Sequence, residues 1–415
     1  MTNKKSQSIS TASRRSVLGG LAATAGVLAA PQIMAQVRGL KIGVLLPRSG
    51  LFAQAGQSCQ RGVTIAPAIL AQMGVNAEIV SVDTESSVDI ARTQAEKLAN
   101  EGVNLFVGAF ESQQTLAIAQ VAEQRGIPLM INIAAAPPIT EQGFKFTFRN
   151  FPKSGTLVAN GLSLMKDLFA ATGKTPKNAI FLHANDTFGQ ANRGAMDALF
   201  PKADMPFQLL DSIAYDPKAQ DLSVEVAKVR GSRAELVIVT TRAGDAIKLI
   251  REMVKQRYEP MAIVSPGSPG MYDDEFYQAL GKFADFSISN VPWVNPNSDL
   301  TKQMAQEFAK QLPGVKFENN AFNAGFTLEA IVIGADAFKR AGSGDPKALA
   351  DAIRQTKLEQ HVMVGPAVTF DEKGQNNNIS SACVQNFNNT PTVTLPAAAA
   401  TRAPVFPAPG WQQRG

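Results

Sequence analysis

The stretch that decides the fold is Val103–Thr115, which reads VNLFVGAFESQQT. It opens with an apolar run that is short enough for a buried parallel strand. Gly108 then ends the strand, and Ser112 is well placed to cap a helix that continues through Ala122. Backbone N–H groups at such a helix start lie at the carboxyl edge of the sheet, where open α/β folds bind small and often anionic molecules. A plain strand-to-helix connection would show the same pattern, so this stretch alone does not distinguish a binding site from a structural connection.

The same alternation of strand and helix recurs along the first 150 residues. Apolar, strand-like runs occupy Leu40–Leu46, Ala77–Asp83 and Ile127–Ile131, and segments with helical spacing of apolar residues separate them. Strands that alternate with helices of ten or more residues predict a parallel sheet covered on both faces.

A second α/β unit begins after Phe151. Its first predicted helix covers about residues 154–171, and its predicted strands are residues 178–182, 211–215, 236–239 and 261–264. From Val291 onward the pattern is mostly helical, until a late strand at residues 379–387. The fold class predicted from these patterns is α/β.

Residues 1–35 have the features of a twin-arginine export signal. Arg14 and Arg15 precede an apolar run that is rich in Ala and Gly, and Ala35 ends a signal-peptidase pattern. No cysteine follows Ala35, so a lipid anchor is not expected. The signal is expected to be cleaved near Ala35, which places the mature chain in a periplasm.

The charge of the mature chain argues against nucleic acid as a partner. The net charge of the whole chain is +5, and the signal carries four basic residues and no acidic one, which leaves +1. A nearly neutral chain without a basic stripe lacks the electrostatic footprint of a nucleic-acid-binding protein.

Two further features concern the cysteines and the C-terminus. Cys59 and Cys383 are the only two cysteines; they lie on a predicted early helix and a predicted late strand, and we expect both thiols to be unpaired. Residues 393–415 are dominated by Ala and Pro and lack hydrophobic periodicity, so this tail is predicted to be disordered.

Over residues 39–390 the chain resembles the type I periplasmic solute-binding proteins, and more narrowly the branched-chain amino acid receptors that serve ABC importers. The marks of this resemblance are Ile42-Gly43-Val44 with Ser49-Gly50, residues 108–115, Gly126-Ile127-Pro128, residues 186–189, and Val364-Gly365-Pro366 with residues 370–374. The resemblance implies two Rossmann-like lobes with parallel sheets, joined by three hinge crossings, with the ligand held in the cleft between them.

The resemblance also implies where the lobes divide. The three crossings are expected near Phe151, Asn290 and Val364. Lobe 1 would then comprise residues 38–150 and 291–363, and lobe 2 residues 151–290 and 364–392.

Candidate ligand-binding residues follow from the same resemblance. Ser112 matches a serine that binds the ligand carboxylate, and the backbone from Ala134 to Ala136 matches the segment that completes the binding of that carboxylate. Phe188 replaces a tyrosine of the amino acid receptors. Gly267 stands where the family usually has an acid.

The departures from the family pattern narrow the class of ligand that we expect. Without an acid at Gly267, the ammonium group of an amino acid would lack its counter-ion, and an unpaired buried charge is costly. Arg242 instead brings a guanidinium suited to a carboxylate. With Phe52, Phe110 and Phe188 as walls, the sequence predicts a small organic acid, aromatic or keto, without an α-amino group.

Several alternatives stay open for these residues. Arg242 would lie outside the cleft if it pairs with Asp245 three positions later on the same helix. Phe52 and Phe110 also fit the core of a lobe, and Ser112 also fits a role limited to capping its helix.

The expected function is the substrate-binding component of an ABC importer, a monomer whose partner is an inner-membrane permease. The alternatives are an amino acid receptor or a periplasmic sensor subunit. An exported hydrolase fits least, because the chain has two histidines and lacks G-x-S-x-G and HExxH motifs. No enzyme activity, cofactor or metal is expected.

Overall fold

The computed structural model describes residues 39–414. The predicted export signal at residues 1–35 and the cleavage near Ala35 lie outside this range. The described residues form two mostly parallel sheets with helices packed against them, which confirms the predicted α/β class.

Lobe 1 is built on a five-stranded parallel sheet with the strand order β2-β1-β3-β4-β5. Its strands are β1 (Leu40–Leu46), β2 (Ala77–Asp83), β3 (Leu105–Gly108), β4 (Leu129–Ile131) and β5 (Thr147–Arg149). The helices between them are α1 (Ala53–Gln72), α2 (Val88–Asn100) and α3 (Ser112–Arg125). Strands β1, β3 and β4 are almost fully buried, because helices cover both faces of the sheet.

Lobe 2 is built on a seven-stranded sheet, whose five parallel strands come from the second α/β unit of the sequence. These are β6 (Asn178–Ala184), β7 (Gln208–Tyr215), β8 (Leu236–Thr240), β9 (Ala262–Ser265) and β10 (Ile288–Pro292). The accompanying helices are α4 (Ser154–Thr172), α5 (Thr187–Leu199), α6 (Ser223–Ser232), α7 (Ala243–Lys255) and α8 (Asp274–Leu280).

The chain then returns to lobe 1 with three helices, α9 (Asp299–Gln311), α10 (Ala321–Ala341) and α11 (Pro346–Arg354). Helix α10 packs so closely on α1 that a Cβ atom at Gly62 would lie 2.2 Å from the carbonyl oxygen of Ala324. By length and composition α10 would suffice to cross a membrane, but 89% of its most apolar stretch is buried, as in the core helix of a folded domain.

The third crossing between the lobes differs from the prediction. After Val364 the chain stays on lobe 1, where the carbonyl oxygen of Gly374 accepts a 2.7 Å hydrogen bond from the N–H of Arg149. The Phe370 ring packs edge-on against Phe148, with 5.7 Å between the ring centroids. The chain crosses only between Asn376 and β11, so residues 364–376 belong to lobe 1.

Two antiparallel strands, β11 (Ser381–Phe387) and β12 (Thr390–Leu395), complete the sheet of lobe 2. The residues that follow are also packed, which corrects the prediction that residues 393–415 form a disordered tail. Trp411 is only 2% exposed, and its Nε1 donates a 2.8 Å hydrogen bond to the carbonyl oxygen of Tyr258. Phe406 packs against Phe169. Two aromatic anchors therefore outweigh a composition that favours disorder.

Both cysteines are buried and free, as the sequence predicts. Cys59 lies on α1 and Cys383 on β11. Burial raises the pKa of each thiol to about 12, so neither is a reactive thiolate.

Candidate ligand-binding cleft

Two small adjoining cavities, of about 20 and 10 Å³, lie between the lobes. Phe110, Arg242 and Pro269 line both of them. We name each cavity after one further lining residue: the Asp273 cavity, which Phe52, Gln54 and Gly270 also line, and the Ala135 cavity, which Ile133, Phe151, Phe188 and Gly267 also line.

Phe110 is held in a conformation that bulky residues rarely adopt, with φ at 74°. Its N–H donates a 3.1 Å hydrogen bond to Oδ1 of Asn132, and the Asn132 amide donates to the Thr327 hydroxyl at 3.0 Å. A strained residue persists only where its surroundings over-determine it, and such residues cluster at binding sites. The loop between β3 and α3 thus presents a fixed aromatic wall to both cavities.

Ser112 is not the cap of α3. Glu111 is the N-cap residue, and its Oε2 accepts a 2.9 Å hydrogen bond from the N–H of Gln114. Ser112 is the first helical residue; it is buried and does not line either cavity. A carboxylate at the N-cap satisfies the same orphan N–H groups as a serine hydroxyl would and also suits the helix dipole. Burial raises the pKa of Glu111, although the Gln114 N–H and the charge of Arg242 act in the opposite direction.

The loop after β4 presents Ala135, and not Ala134 or Ala136, to the cavity. The carbonyl oxygens of Ala134 and Ala136 accept hydrogen bonds from Nη1 of Arg149 at 3.2 and 2.8 Å. The carbonyl oxygen of Ala135 accepts one from the N–H of Ser154 at 2.9 Å. Among the described residues, the N–H groups of Ala135 and Ala136 meet no acceptor. The loop therefore keeps two polarised N–H donors uncommitted, one of them on Ala135, which lines the cavity.

Arg149 is a structural feature that the sequence reasoning missed. It is fully buried and also donates to Gln375 Oε1 at 2.7 Å and to the Thr140 hydroxyl at 2.6 Å. Within residues 39–414 no carboxylate lies within salt-bridge distance of it, and burial lowers its pKa to about 9. The only sequence signal was an arginine inside a short apolar strand. Its role is to brace the loop of Ala134–Ala136 from behind.

Arg242 lies in the cleft and pairs with Asp186, so the alternative in which it pairs with Asp245 outside the cleft is wrong. Its Nη1 lies 2.6 Å from Asp186 Oδ2. The guanidinium carbon lies 4.7 Å from the ring centroid of Phe52 in lobe 1 and 5.3 Å from that of Phe188 in lobe 2. Arg242 therefore joins the two lobes through cation–π contacts.

The charges around Arg242 reinforce one another. Burial would lower the pKa of Arg242, but Asp186, Glu111 and Asp245 together raise it above its ordinary value. Burial would likewise raise the pKa of Asp186, but Arg242 and the Gly189 N–H hold it below its ordinary value. Both partners are charged at neutral pH. Among the described residues, Nε and Nη2 of Arg242 have no hydrogen-bond partner, so the guanidinium keeps free donors.

Gly267 cannot carry the acid that the family usually has at this position. Its φ is 107°, and a Cβ atom there would lie 2.7 Å from the Cβ of Leu157. Only glycine fits this backbone, so the missing carboxylate is a consequence of how this loop packs on α4.

Five of the eight predicted site residues line the cavities: Phe52, Phe110, Phe188, Arg242 and Gly267. Phe110 and Phe188 also belong to the hydrophobic core, so Phe110 is both a core residue and a wall of the cavities. Asp273 was missed, because the run Asp273-Asp274-Glu275 looks in sequence like an ordinary acidic helix start.

A polar contact outside the cavities also joins the lobes. Asp274 at the start of α8 accepts hydrogen bonds from Asn319 at 2.7 Å and from Asn320 at 2.9 Å, and both asparagines precede α10 of lobe 1. Arg61 on α1 lies 3.6 Å from the same carboxylate. These contacts hold the two lobes together across the cleft.

Comparison with known proteins agrees with this architecture. The sequence profile of the family described as "Periplasmic binding protein" matches residues 39–385. This chain belongs to that family. Its fold is that of the type I periplasmic binding proteins.

The curated relatives of this binding protein include the Leu/Ile/Val-binding protein homolog 8 of Brucella suis biovar 1, which is 26% identical over 255 residues. That match covers 60% of this chain and 63% of the relative. The binding protein thus matches less than two thirds of the length of that relative.

Solved structures show the same fold. The leucine-binding protein LivK from Thermotoga maritima has a TM-score of 0.73 at 20% identity, covering 85% of this chain and 97% of that one. A solute-binding protein of an ABC transporter from R. palustris, in complex with benzoate, has a TM-score of 0.72 at 20% identity and covers 88% and 98%. Proteins of this family are periplasmic receptors that bind small molecules and deliver them to ABC permeases.

Proposed function

We propose that this binding protein captures a small carboxylic acid with an aromatic or branched apolar body, and passes it to an inner-membrane ABC permease. The observation that carries the proposal is Arg242, a charged guanidinium with free donors at the wall shared by both cavities. A hydrogen bond to a charged group stabilises a complex by about 1.5–3 kcal/mol. A ligand carboxylate is the natural partner for these donors.

The backbone offers a second anchor for the same carboxylate. Ala135 lines the Ala135 cavity, its N–H group and that of Ala136 are uncommitted, and Arg149 and Ser154 polarise this loop through its carbonyl oxygens. Peptide groups whose oxygens accept hydrogen bonds are better donors through their N–H.

The body of the ligand would pack against an apolar wall. Phe110, Ile133, Phe151 and Phe188 line the Ala135 cavity. Aromatic walls of this kind favour a ring or a branched aliphatic chain. The benzoate complex of the R. palustris protein of the same fold supports an aromatic acid as one member of the class.

A branched-chain amino acid is the second candidate. Asp186 and Glu111 both lie close enough to Arg242 to raise its pKa, and either carboxylate would serve as counter-ion for an ammonium group. The Leu/Ile/Val-binding relatives also favour this candidate. Against it, Asp186 already holds Arg242, so an ammonium group would compete for an occupied carboxylate.

The proposed mechanism is a shift of population between open and closed lobes. A ligand that lies against both Phe110 of lobe 1 and Arg242 of lobe 2 contacts the two walls only when the lobes are closed. Its differential affinity for the closed state then drives closure.

The test is a thermal-shift screen with pairs of compounds that differ only at the α-amino group. Leucine is compared with 4-methyl-2-oxopentanoate, phenylalanine with phenylpyruvate, and benzoate is added. A ligand at 100 times its Kd stabilises the protein by about 2.7 kcal/mol, which is easily detected. We expect the acids without an amino group to raise the midpoint. If only the amino acids do so, the second candidate replaces the first.

The permease partner is tested separately from the ligand. Deletion of the gene is expected to abolish uptake of the acid identified by the screen. Unchanged uptake with a lost transcriptional response to that acid would instead indicate a sensor subunit.

A further inference from the structure

Asp273 is a buried carboxylic acid without a hydrogen-bond donor. It immediately precedes α8, lines the Asp273 cavity and is only 7% exposed. Its backbone N–H is bonded to Gly270, but within residues 39–414 neither oxygen of its carboxyl group accepts a hydrogen bond. Buried polar groups are nearly always satisfied, so this one requires an explanation.

The other carboxylates in and around the cleft all have donors. Asp186 accepts from Arg242 and from the Gly189 N–H, Glu111 from the Gln114 N–H, and Asp245 from the Tyr215 hydroxyl. The two acids that follow Asp273 are also satisfied: Asp274 accepts from Asn319 and Asn320, and Glu275 accepts from Gln54. Among these carboxylates, Asp273 is therefore the one without a hydrogen-bond donor.

The surroundings of Asp273 make its charge unfavourable. Burial and then the negative charges of Asp274 and Glu275 raise its pKa to about 7, while Arg61 acts in the opposite direction. A donor placed against the carboxyl group would offset the cost of leaving it unpaired. The group that the Asp273 carboxyl lacks is therefore a hydrogen-bond donor.

We infer that the Asp273 cavity is a second subsite of the cleft, which takes a hydroxyl or amino group that the ligand carries at the end away from its carboxylate. This inference rests on the proposed function and narrows it. The two cavities share Phe110, Arg242 and Pro269, so one molecule that spans this shared wall reaches both. The ligand class is then a carboxylic acid with a distal hydrogen-bond donor.

The test is calorimetric titration of the protein with two series of acids matched in size. The aromatic series is benzoate, 4-methylbenzoate, 4-hydroxybenzoate and 4-aminobenzoate. The aliphatic series is pentanoate, hexanoate, 5-hydroxypentanoate and 5-aminopentanoate. In the series whose parent acid binds, we expect a donor-bearing acid to bind about tenfold more tightly than the methyl-bearing acid of equal size.

Two variants locate the source of this preference. Asp273→Ala removes the acceptor, and the preference for the donor-bearing acid is expected to fall to about one. Asp273→Asn keeps the shape and one acceptor oxygen but removes the charge, so a preference for the hydroxyl group would survive and a preference for a charged amino group would not. Asp299→Asn, a carboxylate with 78% of its side chain exposed on α9, is the matched control and should leave the preference unchanged.

The outcomes separate this inference from the proposed function. If the parent acids bind and the donor-bearing acids gain nothing, the second subsite is refuted and the proposed function stands. If the preference persists in both Asp273 variants, the donor is recognised elsewhere and the inference fails. If no acid of either series binds, the proposed ligand class fails, and the inference falls with it.

Discussion

At the scale of single residues, one side chain of the cleft, Arg242, has two roles. In the proposed function Arg242 donates to the ligand carboxylate; it also neutralises Asp186, whose side chain is 12% exposed and which caps α5. Removal of one partner of a buried ion pair leaves the other charge unpaired. The proposed function therefore couples ligand binding to folding at Arg242.

Arg242→Ala is expected to weaken carboxylate binding and also to reduce the free energy of unfolding by about 3–5 kcal/mol, because Asp186 is left without its partner. The double variant Arg242→Ala/Asp186→Asn should recover much of the stability but none of the affinity. Urea denaturation and calorimetry measure the two effects. Equal stability of the single and double variants would show that the pair contributes no coupling.

Asp273 predicts a pH dependence of stability. Its pKa rises from an ordinary value of 3.8 to about 7 in the folded protein, so the folded state binds this proton more strongly than the unfolded state. The resulting stabilisation is full below pH 3.8 and is lost as the pH rises through 7. Asp273→Asn cannot ionise and avoids this loss.

We therefore expect Asp273→Asn to be more stable than the unmodified protein at pH 8, with the difference shrinking toward pH 4.5. Urea denaturation at several pH values measures it, with Asp299→Asn as the control. A difference that is constant across this range would show that Asp273 has an ordinary pKa.

The sequence placed Arg242 in the cleft but did not reveal the residues that surround it. Arg242 stands out because the family pattern places it at the cleft. Its partner Asp186 lies 56 residues earlier, and that pairing depends on how β6 and β8 lie side by side in the sheet. Asp273 was hidden for a related reason: an acid at a helix start looks like a cap until its burial is known.

At the scale of elements, periodicity carried most of the fold. Most strands and helices of both lobes appear within a few residues of the predicted positions, because each buries a face that the sequence pattern marks; β5, β10 and β12 were not predicted. The late crossing and the packed tail were not predicted, because each depends on isolated aromatic contacts. Phe370 anchors residues 364–376 and Trp411 anchors the C-terminal segment. A single anchoring residue produces no periodic pattern in the sequence.

At the scale of the whole molecule, contacts outside the two cavities join the lobes. Asp274 of lobe 2 binds Asn319 and Asn320 of lobe 1, outside the two cavities. Such contacts favour the closed state before the ligand arrives and thereby raise the apparent affinity.

Asp274→Ala is expected to weaken binding of every ligand by a similar factor, about tenfold, since it removes hydrogen bonds of the closed state only. Small-angle scattering of the ligand-free variant should show a larger radius of gyration than the unmodified protein. Lys347→Ala, an exposed change on α11, is the control. A loss confined to one ligand would place Asp274 in the binding site.

Trp293, just after β10, gives the protein a built-in optical reporter. Its ring lies 5.0 Å from that of Tyr272 in lobe 2 and 6.5 Å from that of Phe322 in lobe 1, between centroids. The chain has only one other tryptophan, Trp411, whose indole is buried in lobe 2. In the variant Trp411→Phe, the intrinsic fluorescence would therefore come from a single indole at the hinge, and its emission would follow opening and closing in real time without an attached dye.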